Sequence, residues 1–209
     1  MPFVTFEGVE GCGKSTQLAL TAERLRRAGR DVVTTREPGG TPIAEKIRAV
    51  LLDAAHTALE PVAEWLLIEA ARSQHVREVL RPALARGAFV LCDRFADSTE
   101  AYQVGGRGLD PVLVAALDER VREGLAPDLT LLFDLAPAEG LTRARRRDSG
   151  AGRFEAADLA FHERVRAAFL AIARREPDRV AVVPADGAVD AVFERAWDVL
   201  ARRIVSGPS

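Results

Sequence analysis

The chain has 209 residues, a formal net charge of −2, 48% hydrophobic and 29% charged residues, which suits one domain around one sizeable core. That near-neutral charge gives no bulk attraction to nucleic acid or to a membrane surface, so neither is expected as a partner. Cys12 and Cys92 lie far apart and form no metal-type spacing with His56, His75 or His162, MPFVTFEG lacks a signal-peptide pattern, and no apolar stretch is long enough to span a bilayer; a reduced, cytoplasmic chain is expected.

The first predicted element is a short apolar strand, Phe3 to Phe6. It runs into Gly8-Val9-Glu10-Gly11-Cys12-Gly13-Lys14-Ser15-Thr16, which fits G-x-x-x-x-G-K-[ST], and then into a helix over Ser15 to Ala28, closed by Gly29. Glycines let backbone N–H groups curl around phosphate oxygens. The following helix turns its positive end to the same anion. Lys14 supplies a point charge to the β and γ phosphates, and the Ser15 hydroxyl suits Mg²⁺. Cys12 lies beside that helix N-terminus; a small tolerated side chain is the blander reading, a thiol whose modification blocks ATP the sharper one.

A second strand is predicted over Asp31 to Thr35, ending in Thr35-Arg36-Glu37-Pro38-Gly39-Gly40-Thr41. Arg36 can hold an anion there, and Pro38-Gly39-Gly40 forces a turn. A helix follows over Pro42 to Leu52, then a long one from Pro61 towards Arg86, ending at Gly87. Glu64, Ile68 and Arg72 share one face of it at i, i+4, i+8; the blander reading makes Glu64 and Arg72 a surface ion pair. The third strand, Ala88 to Cys92, leads into Asp93-Arg94-Phe95, Ser98-Thr99 and Ala101-Tyr102-Gln103. Asp93 at a strand end suits Mg²⁺ held through water, and Arg94 suits a transferring phosphoryl group.

Helices over Pro111 to Glu123, Pro137 to Arg147, Ala156 to Arg175 and Val189 to Ile204 alternate with strands over Leu129 to Leu135 and Arg179 to Val183. The alternation predicts an α/β fold with a five-stranded parallel sheet, helices on both faces and right-handed crossovers, a three-layer arrangement. The arginine-dense stretch Arg143 to Phe154 reads as a short lid inserted at about 143–155 in a single domain, 1–209. Ligands are expected at the carboxyl ends of the strands.

A P-loop by itself specifies a triphosphate. A small-acceptor kinase, a GTPase switch and an ATPase motor compete. The chain contains no asparagine, so it lacks Asn-Lys-x-Asp for guanine, and no D-x-x-G follows a strand; the kinase is favoured. Phe6-Glu7-Gly8-Val9-Glu10-Gly11, Thr35 to Thr41, Ala70-Ala71-Arg72-Ser73-Gln74-His75, Asp93-Arg94 leading to Ala101-Tyr102-Gln103, Gly105-Gly106-Arg107-Gly108 and Pro127-Asp128-Leu129-Thr130 occur in that order. In this the chain resembles the thymidylate kinases of bacteria along nearly its whole length.

The resemblance implies transfer of the ATP γ-phosphate to dTMP, giving dTDP, with Mg²⁺ as cofactor and a homodimer whose contact includes the third helix. It implies that Arg36 and Arg94 bind the dTMP phosphate, that Arg72 bonds the thymine ring with Thr99 and Gln103 near the base, and that Tyr102 packs by the deoxyribose. Glu10 would approach the sugar 3′-hydroxyl, and Asp93 would assist Mg²⁺. Many relatives have a stacking aromatic where this chain has Ile68. Val9 to Cys12 carry no arginine, so charge for the transition state is expected from the lid, from Arg143, Arg145, Arg146, Arg147 or Arg153, with Arg153 first by its Arg-Phe-Glu context. Neighbouring readings are a kinase for dUMP or UMP and a nucleotide-binding regulator without turnover. The adenine pocket is expected near Ala185 to Ala188.

Overall fold

Runs of Val, Leu, Phe and Thr with both faces apolar form five strands: β1 (Phe3–Glu7), β2 (Val32–Arg36), β3 (Phe89–Asp93), β4 (Leu129–Asp134) and β5 (Val180–Pro184). They pair in the order β2-β3-β1-β4-β5, every pair parallel, and such strands need cover on both faces. The computed structural model describes residues 2–56, 58–147 and 157–205. Alternate β1 side chains feed two cores. Val4 and Phe6 join Leu131, Phe133, Phe161 and Phe169, whereas Phe3 joins Val76, Leu80, Val90 and Phe95.

The helical layers begin with α1 (Lys14–Arg27), which starts at Gly13 with φ 90°. In α2 (Pro42–Leu52) Pro42 occupies the first turn and the Thr41 hydroxyl accepts from Ala44 N, a proline start with a threonine cap. The predicted long helix is α3 (Pro61–His75), a wide i→i+5 turn over Val76–Leu80, and α4 (Arg81–Ala85) in one run. After β3, α5 (Ala96–Thr99) continues through a second wide turn, Glu100–Gly106. Sequence reasoning left this stretch without a helix, because Ser98, Thr99 and Gly105-Gly106 are poor interior formers. Wide turns of this kind recur at functional sites.

The remaining helices are α6 (Pro111–Arg122), α7 (Pro137–Arg147), α8 (Leu159–Arg175), capped by Asp158, and α9 (Val189–Leu200). Among the described residues no helix is long and apolar enough to cross a membrane. The chain turns back across the sheet between β3 and β4, with β1 between them. Phe6 stands opposite Asp93 in the β1–β3 register. The ends of β1 and β3 therefore open into the same crevice, where doubly wound sheets hold ligands.

Candidate active site

A cleft of about 480 Å³ opens at these strand ends. One wall is the loop between β1 and α1. Gly11 has φ 70°, and a Cβ there would lie 1.9 Å from Gly140 O, so only glycine fits where α7 crosses the loop. Gly140 is equally tight, since its own Cβ would lie 2.3 Å from Glu10 O. Lys14 Nζ curls back to Val9 O at 3.5 Å, a long contact that leaves the ammonium available to an anion. Glu10, Gly11, Gly13, Lys14, Ser15 and Thr16 line the cleft. Gly8, Val9 and Cys12 form the buried back of the loop. Cys12 packs in the larger core, which favours the blander reading of that thiol.

Ser15 Oγ donates to Asp93 Oδ2 across the β1–β3 boundary. A carboxylate and a hydroxyl brought together beside a phosphate cradle are hard oxygen donors of the kind Mg²⁺ takes.

Three guanidinium groups also line the cleft. Arg36, at the end of β2, is half-exposed and donates to Glu45 Oε2 at 2.8 Å. Arg48, on α2, donates to Pro38 O at 2.9 Å. Burial first, and then the nearby Arg36, lower its guanidinium from the ordinary value, against the opposing pull of Glu45 and Asp93. Sequence reasoning missed Arg48, because an arginine on a helix face carries no local signal. Arg94 has φ 73°, a left-handed conformation that costs a non-glycine residue roughly 1–2 kcal/mol. Its Nη1 donates to Ser98 Oγ at 3.0 Å, and its Nη2 to Tyr102 Oη at 3.0 Å and Glu10 Oε1 at 3.2 Å.

Tyr102 Oη also donates to Glu10 Oε1 at 2.6 Å, and His162 Nδ1 of α8 lies 3.1 Å from Glu10 Oε2. Burial alone would raise the Glu10 carboxyl. His162, Arg94, Lys14 and the Tyr102 hydroxyl outweigh it and bring the group down to about 2. Glu10 is therefore a carboxylate at neutral pH. Glu7, fully buried at the end of β1, goes the other way. Burial and the charge of Asp97 push it up to about 8, against the opposing pull of Arg94.

At the far end of the cleft, Arg72 is 1% exposed. Its Nε donates to Glu37 Oε2, and its Nη1 to Glu69 Oε1 and Asp118 Oδ1, each at 2.8 Å. Its guanidinium lies 5.3 Å from the Phe95 ring centroid. Burial works against this charge, but Glu37, Glu69 and Asp118 hold it above the usual range. Glu64 is buried too, and it pairs with Arg107 and Gln103. The surface pairing of Glu64 with Arg72 is thus replaced by two separate buried networks. Ile68, Phe95, Thr99 and Gln103 complete this end. Thr99 Oγ1 and Gln103 Oε1 are buried without a hydrogen-bond partner; unpaired buried oxygens in a cleft call for a ligand or water.

Three of these groups come from the helix after β3, where Thr99, Tyr102 and Gln103 recur at i, i+3 and i+4 on one face. Among the histidines, His56 is exposed, while His75 is buried with its ring nitrogens against Thr35 Oγ1 and Glu37 Oε1. The cationic lid residues expected from the sequence are divided: Arg143, Arg145 and Arg146 lie on α7, as does Arg147 at its end, and Arg153 is outside the described residues. Arg143 Nη1 donates to Ala185 O at 3.2 Å, beside the expected adenine pocket.

The cleft thus combines the glycine-rich loop with Lys14, a paired hydroxyl and carboxylate, three arginines, and the buried unpaired oxygens of Thr99 and Gln103. A sequence profile of the family described as "Thymidylate kinase" matches residues 6–196. The chain is 55% identical to the thymidylate kinase of Caulobacter vibrioides over 202 residues, 97% of each chain. It is 52% identical to that of Deinococcus radiodurans over 201 residues, 96% of this chain and 97% of the other. The crystal structure of thymidylate kinase from Ehrlichia chaffeensis superposes with a TM-score of 0.76 at 35% identity, covering 95% of this chain and 98% of that one. The chain belongs to the thymidylate kinase family.

Proposed function

We propose that this cleft carries out the family's reaction, transfer of the ATP γ-phosphate to dTMP, with the following division of labour. The P-loop backbone and Lys14 hold the β and γ phosphates. Arg36, Arg48 and Arg94 hold the dTMP phosphate opposite them. An oxygen of that phosphate attacks the γ-phosphorus, the bond to the β–γ bridging oxygen breaks, and ADP and dTDP leave. The attacking oxygen is already anionic at neutral pH, so no general base is required and catalysis is positioning with charge stabilisation. The observation that carries this reading is that the P-loop residues and the three arginines line one cleft.

Ser15 and Asp93 would hold Mg²⁺, which when bound neutralises charge on the β and γ phosphates. Arg94 Nη2 and Tyr102 Oη converge on Glu10, fixing a carboxylate that would receive the 3′-hydroxyl while Tyr102 borders the sugar. Gln103 Oε1 and Thr99 Oγ1 face the base, with Arg72 supplying a donor through Nη2, the nitrogen its three carboxylates leave unused. Ile68 and Phe95 cover the ring by dispersion. A lid arginine, Arg153 first, closes on the transferring group, and Arg143 stands by the adenine. We read the whole chain as one cytoplasmic kinase domain. It pairs with a second copy through α2, α3 and α6, which pack side by side and leave Ile43, Leu66, Val112 and Leu113 exposed.

Separate binding isotherms for Mg-ATP and dTMP test the division. Lys14→Ala should lose ATP and keep dTMP; Arg94→Ala should lose dTMP and keep ATP. The reverse pattern would overturn it.

A further inference from the structure

Glu7 is a carboxylate at 0% exposure that takes no part in the division of labour above. No cation lies within ion-pair distance of it among the described residues, and an apolar side chain would fill the same space at no electrostatic cost. Its two oxygens are nevertheless both engaged. Oε1 accepts from Phe95 N at 2.7 Å, and Oε2 accepts from Ser98 Oγ at 2.6 Å. Both partners lead to the same residue. Phe95 N belongs to the peptide that follows Arg94, whose left-handed φ of 73° persists only where its surroundings hold it. Ser98 Oγ in turn accepts from Arg94 Nη1 at 3.0 Å.

We infer that Glu7 is a positioning residue for Arg94: it fixes the backbone after the arginine through Phe95 N and the guanidinium through Ser98 Oγ, and so sets where the acceptor phosphate is held. This rests on the reading that Arg94 binds the dTMP phosphate. The geometry serves in either protonation state. The ionised group accepts from both partners. The neutral group still accepts from Phe95 N, while its own hydroxyl donates to Ser98 Oγ, which has a second lone pair for Arg94. Arg94 N also donates to Phe6 O at 3.1 Å, so β1 grips Arg94 at consecutive residues. The strand that leads into the ATP cradle thereby carries the support for the acceptor-side arginine as well. That placement sets donor and acceptor phosphates in one frame, as in-line transfer needs.

The test uses the full chain, with dTMP and ATP varied in turn and the melting temperature of each variant recorded. Glu7→Leu should fold and lower kcat/KM for dTMP by about 100-fold while the KM for ATP changes by less than about 2-fold. Glu7→Gln, which keeps an acceptor for Phe95 N and a polar partner for Ser98, should restore activity to within about 5-fold of wild type. Ser98→Ala, which breaks only the side-chain route, should lose about 10-fold on the dTMP side. The inference is overturned if Glu7→Leu keeps wild-type kcat/KM for dTMP, if its losses fall equally on ATP and dTMP, or if Glu7→Gln is as impaired as Glu7→Leu. Should Glu7→Leu not fold, an unchanged kcat/KM for dTMP in Ser98→Ala overturns it alone. Arg94→Ala separates the two claims. Wild-type dTMP kinetics in that variant sink the reading of Arg94 itself, whereas a loss there beside an intact Glu7→Leu sinks only the role of Glu7.

Discussion

Gln103 shows how one side chain carries both structure and recognition. Its Nε2 donates to Glu64 Oε1 at 2.9 Å, which fixes the amide, and its Oε1 is left buried without a partner. A pocket built to bond a ligand donor discriminates strongly when that bond is removed. Gln103→Leu should therefore raise the KM for dTMP by roughly 10-fold or more and leave the KM for ATP unchanged; equal KM values for dTMP in variant and wild type would remove Gln103 from base recognition. At this scale the sequence was informative where spacing is short. Lys14, Ser15, Asp93, Arg94 and Tyr102 all fall in one cleft, because each lies in or just after a strand end. It was silent on Arg48, Glu37 and Ser98, whose relevance depends on contacts across elements. It also gave no sign that Arg72 is gripped by carboxylates from three segments, at Glu37, Glu69 and Asp118.

Among the elements, the crossing of α7 over the P-loop is the tightest constraint on the nucleotide side. Gly140 lies within α7 and is not among the glycines with positive φ, so Gly140→Ala is a steric test free of positive-φ strain. The new Cβ would lie 2.3 Å from Glu10 O, and backbone cannot yield cheaply there. The substitution should weaken Mg-ATP binding by about 10-fold through displacement of the loop; unchanged ATP affinity in a folded Gly140→Ala protein would contradict the account. The five strands and most helices were legible from apolar runs and from Pro, Thr and Gly at their ends. The helix after β3 was not, since its helical state comes from packing against α8 and not from propensity.

The molecule as a whole gathers Arg36, Arg48 and Arg94 at the cleft that the P-loop lines and leaves apolar side chains exposed on α2, α3 and α6. Val112 is 76% exposed and Leu113 58%, more than a monomer's surface usually gives to adjacent large aliphatics. Sedimentation should return a dimer for the native chain, and Leu66→Glu with Val112→Glu should shift it to monomer. A native monomer at micromolar concentration would rule out the paired arrangement. Parallel topology followed from strand–helix alternation, but the β2-β3-β1-β4-β5 order was not legible in the sequence, and the two-sided division of the core became visible only once alternate residues of β1 were seen to feed separate clusters.

The central claim is that this cleft phosphorylates a thymine nucleotide. Coupled ADP release with Mg-ATP and, in turn, dTMP, dUMP, UMP, dCMP, dGMP and AMP tests it most directly. The account predicts the highest kcat/KM for dTMP, with UMP and AMP far below it. A preference for any other monophosphate, or no turnover with any of them in protein that binds ATP, would contradict it.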